Sequence, residues 1–296
     1  MNNNKQINYL TDKTIVELEK SGWHGIIDLV YANHNGATQV TNSYSKAPLK
    51  IQRPFYPEGK AICHSVVLHT AGGIVGGDRL SQNFHLQANA KTLITTAAAN
   101  KIYRSNGKQA KQNINIKIDA DACLEFMPQE AIVFNDAFYR QDLKVELAPG
   151  ASFLGWEIIR FGRSSRGKKF LQGKWRSNTE VWQEGCPLWI DRQGLVGGEE
   201  MFYSPNALAG KPLVGTLYYI GKPVSQEIVE KARNCWYNRE AQGEAGVTQL
   251  LTGLLCRYRG NSTSEVKTWF IDVWQLLRLN YLRISATKPR VWQLNE

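Results

Sequence analysis

The chain has 296 residues, with 36 Lys+Arg against 26 Asp+Glu for a formal net charge of +10, and is 43% hydrophobic and 10% aromatic. That composition excludes wholesale disorder, and a chain of this length buries enough surface to fold without a disulfide or metal staple. No apolar run approaches the ~18–20 residues of a membrane span. Five dispersed cysteines without a CxxC pair (Cys63, Cys123, Cys186, Cys235, Cys256) fit reduced thiols of a cytoplasmic protein.

Met1 to Lys13 is polar and Asn-rich, with no apolar core of a secretory signal. Residues 1–21 read as a flexible N-terminal segment ahead of a single domain over 22–296. From Gly22 to Gly221 the pattern is short strands punctuated by glycine turns, which favours a mainly β architecture over βαβ units. Residues 25–31 are apolar and partly alternating. Gln112 to Ile118 alternates cleanly, with Ile114, Ile116 and Ile118 on one face and Asn113, Asn115 and Lys117 on the other. No fixed repeat period is evident, which argues against a solenoid or propeller with regular sequence repeats. The last third carries two helix signals. One spans 225–240 behind Ser225, and the other spans 263–282 behind an S-x-x-E capping box of Ser262 and Glu265.

Gly72 and Gly77 match the glycines of a phosphate loop, but Asp78 and Arg79 stand where Lys and a hydroxyl are required, and a carboxylate there repels phosphate. Two readings remain: a close crossing of backbones, or presentation of Asp78 to a ligand or channel. His64 and His69 near Cys63 suggest a metal cluster. On one strand, however, Cys63 and His69 lie ~20 Å apart with His64 facing away, too far for ligands at ~2.0–2.3 Å. No hydrolase signature is present, so no catalytic residue is expected. Glu157 and Asp191, each inside an apolar run, are the least surface-like carboxylates. Such groups must be paired, hydrogen-bonded or wetted by a cavity. Between Ile158 and Thr179 lie seven cations (Arg160, Arg163, Arg166, Lys168, Lys169, Lys174, Arg176) and no acid. With Phe161, Phe170 and Trp175 interleaved, residues 158–179 read either as a nucleic-acid patch or as a docking surface for an acidic protein.

Several motifs in register are familiar: Leu49 to Glu58, His69 to Asp78, Lys101-Ile102-Tyr103-Arg104-Ser105, Leu124 to Glu130, and Pro289-Arg290-Val291-Trp292. Together they closely resemble the UreD (UreH) family of urease accessory proteins over nearly the whole chain. The resemblance implies a mainly β fold of superhelical, stacked β-sheets with two α-helices in the C-terminal third. It implies a non-enzymatic, cytoplasmic maturation factor. Such a factor binds UreF, and UreG through it, in a symmetric 2:2:2 complex that docks on the urease apoprotein, with no nucleic acid or membrane partner. It further implies transient passage of Ni²⁺ along an internal path through Asp78, Glu157 and Asp191, with Lys101 and Arg104 beside it. Replacing Asp78 or Glu157 by Ala is then expected to spare folding while lowering nickel delivery.

Overall fold

The computed structural model describes residues 22–163 and 167–295; residues 1–21, including the predicted flexible segment, and Arg166 of the basic stretch lie outside the described residues. Two β-sheets pack face to face. The seven-stranded sheet has the order β14-β13-β11-β8-β5-β1-β2 and the ten-stranded sheet β16-β17-β15-β12-β9-β6-β4-β3, with β7 and β10 as a side branch on β12. The first contains β1 (His24–His34), β2 (Ala37–Lys46), β5 (Arg79–Leu86), β8 (Ala110–Ile118), β11 (Ala137–Leu147), β13 (Gly173–Gln183) and β14 (Cys186–Val196). The second contains β3 (Leu49–Ile51), β4 (Ile62–His69), β6 (Lys91–Thr96), β9 (Cys123–Phe126), β12 (Ser152–Phe161), β15 (Leu213–Ile220), β16 (Glu244–Leu250) and β17 (Gly253–Gly260); β7 (Asn100–Ile102) and β10 (Ala131–Val133) form the branch.

From β4 to β13 the chain alternates between the sheets, so each coil leaves a main strand in each, with β7 and β10 as additional short strands of the second. Successive coils stack as the parallel ladders β5–β8–β11–β13 and β4–β6–β9–β12. Parallel strands need a long crossover, and here the opposite sheet supplies it where a helix would in a βαβ unit. The result is a solenoid-like winding whose coils differ in length, which is why no sequence repeat is visible. Antiparallel hairpins close the seven-stranded sheet. In the β1–β2 hairpin, Asn35 (φ 52) and Gly36 (φ 82) take the two left-handed positions of a tight turn.

Inward residues of both sheets form one core, in which Ile114, Ile116 and Ile118 alternate with outward polar residues as the sequence predicts. Among the described residues the helices are α1 (Glu199–Tyr203), α2 (Gln226–Tyr237) and α3 (Thr263–Tyr281). With the 3₁₀ turn Arg290–Asn295, α2 and α3 cover the outer face of the ten-stranded sheet over a second core that includes Trp156, Trp269, Phe270, Trp274 and Trp292. β12 is therefore buried on both faces, which explains its nearly continuous apolar run.

Ser225 and Ser262 cap their helices as expected, accepting from Ile228 N–H and Glu265 N–H. The capping box is half formed: the Glu265 carboxylate accepts instead from Gln242 N–H, Gly243 N–H and the Tyr258 hydroxyl. A buried ion cluster fastens α3 to the sheet. Arg278 is fully buried and grips Glu125 through Nε (2.9 Å) and Nη2 (2.8 Å), with Glu58 on its other edge. His64 completes the cluster at 2.6 Å from Glu58, and Trp274 Nε1–H donates to Glu125 at 2.8 Å. His64 is thereby a hydrogen-bond partner of Glu58. Among the described residues no group of three or more His, Cys, Asp or Glu side chains is arranged to hold a metal.

A polar cavity between the two sheets

A cavity of about 420 Å³ lies between the sheets toward one end of the sandwich. Its wall on the seven-stranded sheet carries Leu80, Gln82, Gln112, Gln141 and Thr179, and its opposite wall carries His69, Ala131, Trp156, Glu157 and Tyr218. Most inward positions of a β sandwich are apolar, so this line of amides and hydroxyls is the anomaly. Register explains it: Gln112 pairs with Gln141, Gln141 with Ser177, and Ser177 with Gln193, one residue from each of four neighbouring strands. The winding thus builds a transverse polar track from residues far apart in sequence. The Tyr139 hydroxyl stands 3.0 Å from Gln112 Oε1 and 3.3 Å from Gln141 Oε1, holding the amides in place.

Glu157 reaches across from β12 into this track. Its Oε1 accepts from Gln141 Nε2 (2.7 Å) and Ser177 Oγ (2.9 Å). Oε2 has no partner among the described residues, and Glu157 lines the cavity. Burial is the largest influence on this carboxyl, and the negative charge of Asp191 adds to it. Together they push its pKa up to about 7 against the lowering effect of Ser177, Arg257 and Gln141.

Asp191 stands one strand beyond the cavity wall, on β14 in register with Thr179. Arg257 Nη2 donates to its Oδ1 at 2.7 Å and Gln193 Nε2 to its Oδ2 at 2.8 Å, while Arg257 Nη1 donates to Thr216 Oγ1 at 2.7 Å. The structure therefore brings Glu157 and Asp191 into electrostatic contact, with a guanidinium tempering the outer carboxylate. Asp78 is elsewhere. It is 5% exposed, and its Oδ1 accepts from Trp23 N–H at 2.8 Å while Oδ2 accepts from Val75 N–H at 3.0 Å. Both oxygens are occupied in fixing the glycine loop, two of whose residues, Gly72 and Gly73, line the cavity. The loop is a close crossing of backbones. A Cβ on Gly73 would stand 2.5 Å from Lys101 O and one on Gly76 2.7 Å from Lys108 O. Lys101 both lines the cavity and is exposed, so it sits at the opening; Arg104 is exposed and does not line it.

His69 shares the wall with Glu157. Its Nδ1 lies 3.1 Å from Ala71 O, which assigns the proton to Nδ1, and its buried Nε2 has no partner among the described residues. Sequence reasoning set His69 aside with the metal cluster, because strand spacing separates it from Cys63. Its free ring nitrogen depends on the Ala71 carbonyl, which spacing does not reveal.

Among the described residues, cations of the basic stretch 158–179 are drawn into separate contacts. Arg160 donates to Asn261 O (2.8 Å) and Thr263 Oγ1 (3.0 Å), Arg163 lies over the Phe134 ring (5.5 Å), and Lys169 lies over the Tyr203 ring (4.9 Å). Phe161, Phe170 and Trp175 are buried and pack on one another, which removes the aromatic platform that stacking on nucleic-acid bases requires.

Comparison with known proteins places this geometry in context. The family model of the UreD urease accessory protein matches residues 24–293. The chain is 64% identical over 273 residues to the urease accessory protein UreD of Nostoc punctiforme, covering 92% of this chain and 97% of that one. It is 65% identical over 272 residues to UreD of Trichormus variabilis (92% and 96% covered). It is 41% identical over 256 residues to UreD of Synechocystis (86% and 95% covered). Among the described residues no helix is long and apolar enough to cross a membrane.

Proposed function

The chain belongs to the UreD urease accessory protein family, and we propose that within urease maturation it acts as a passive conduit. In this reading it joins UreF, and through UreF the GTPase UreG, on the urease apoprotein in a symmetric 2:2:2 complex in the cytoplasm. It carries out no catalysis, and Ni²⁺ crosses its interior as cargo. The observation that carries the reading is the polar track Gln112–Gln141–Ser177–Gln193, which Glu157 joins from the opposite sheet, with Gln112, Gln141 and Glu157 lining a cavity between the sheets.

The donor set suits a passing ion. Amide oxygens, hydroxyls and one carboxylate are weak, exchangeable partners for a hydrated divalent cation, whereas a compact His/Cys cage binds tightly and traps it. Glu157 offers its unpaired Oε2, and His69 Nε2 offers a lone pair on the same wall. The Arg257–Asp191 pair at the far end keeps the second carboxylate from becoming a deep electrostatic sink. Asp78, by holding the glycine loop in place, positions the wall and does not itself meet the ion.

The test is the double variant Gln141→Leu/Ser177→Ala, which makes the track apolar at its midpoint. It is expected to fold and to assemble with UreF while urease matured with it carries less nickel. Urease with a full nickel complement would refute the reading.

A further inference from the structure

The outer face of the seven-stranded sheet carries a second transverse line, independent of the cavity. Arg79 pairs in register with Lys111, Lys111 with Arg140, and Arg140 with Arg176, so four adjacent parallel strands present four cations in one straight row. With strands ~4.8 Å apart, the row is ~14 Å long. Arg79 and Arg176 are exposed and make no side-chain hydrogen bond or ion pair among the described residues. Among the described residues a single acid touches the row: Asp142, gripped by Arg140 Nε at 2.9–3.0 Å and 3.5 Å from Lys111. The face dips here into a depression of about 680 Å³, with Arg140 and Arg176 on its wall.

Four cations at strand spacing against one carboxylate leave an uncompensated positive charge, which is tolerated where a complementary charge arrives. The spacing selects its shape. Carboxylates at i, i+3 or i+4, i+7 and i+11 of an α-helix recur every ~5.4 Å and match the row to within side-chain reach. Alternate residues of an extended strand recur every ~6.7 Å and drift out of step over four positions. Among the described residues, a second copy of the chain offers no such helix. On α2, Glu227 and Glu230 are paired with Lys231 and Arg233; on α3, Glu265 is bound to the 242–243 backbone and Asp272 to Arg239. The aromatic side chain beside the row, Trp175, points inward and leaves no platform for nucleic-acid bases.

We propose that this row is the docking surface for a partner protein's acidic helix, laid across the strands with one stripe of Asp or Glu against Arg79, Lys111, Arg140 and Arg176. The helix binds weakly and fast, steered by charge, and the contact does not depend on nickel passage.

The probe is a helical peptide of about twenty residues with glutamates on one face only, titrated to millimolar concentration into isotope-labelled protein. The expected result is saturable amide shifts centred on these four residues, suppressed by added salt. The variant Arg140→Glu/Arg176→Glu, with unchanged thermal midpoint and circular dichroism, should weaken binding roughly tenfold or more. A peptide of the same composition with its glutamates spread around the helix should bind several-fold more weakly. Absent shifts, shifts on another face, equal binding of the two peptides, or tighter saturation by a short DNA duplex would each overturn the proposal.

Discussion

Glu157→Gln isolates the electrostatic character of the cavity. The substitution removes a charge but keeps an oxygen that can accept from Ser177 and Gln141, so the two hydrogen bonds survive. The native carboxyl is raised from its ordinary 4.5 to about 7, chiefly by burial. A carboxyl raised on folding favours the native state fully below the unfolded value and loses that contribution as pH climbs to the folded one. The wild-type protein therefore loses this contribution between about pH 4.5 and 7, and the glutamine variant has none to lose. Relative to its value at low pH, linkage shifts the stability difference in the variant's favour by ~1 kcal/mol at pH 5, ~2 at pH 6 and ~3 from pH 7 upward. Urea unfolding of both proteins at pH 5, 6, 7 and 8 reads this directly, because all other titrating groups are shared. A difference that stays constant with pH would mean that Glu157 titrates as a solvated carboxyl and that the cavity exerts no field on it.

Two further perturbations follow from the same geometry. Arg278→Met leaves Glu125 and Glu58 buried without their guanidinium and should cost ~3–5 kcal/mol in chemical denaturation. Adding Glu125→Gln to it should recover part of the loss, and no recovery would contradict the ion-cluster account. Asp78→Ala removes both acceptors of Trp23 N–H and Val75 N–H and should destabilise by ~1–3 kcal/mol. This reverses the expectation drawn from sequence that the variant leaves folding untouched; an unchanged denaturation midpoint would restore it.

What was legible in the sequence were local patterns. The alternation of Gln112 to Ile118 identified β8 and its inward face, and the serine caps located α2 and α3 within a few residues. Glu157 stood out because a carboxylate inside Leu154 to Ile159 has no surface pattern to belong to. The Asn35-Gly36 hairpin signal was present but unread, and the β16–β17 hairpin between the helices is masked by Gly253 and by polar residues on its exposed strand. Phe161, Phe170 and Trp175 read as a stacking platform because the adjacent cations dominate the composition; the fold turns the rings inward. The polar track, the cationic row and the Arg278 cluster could not be read at all. Their members meet only through coil stacking or across separations such as the 153 residues between Arg278 and Glu125.

The conduit is tested most directly by filling it. Thr179 lines the cavity from β13, and Thr179→Phe places a ring in that space without touching the outer face or the helices. Nickel per active site should be measured in urease matured with this variant, alongside its recovery in complex with UreF and apo-urease. The account expects intact complexes and urease depleted of nickel. Fully loaded urease behind a plugged cavity would contradict it.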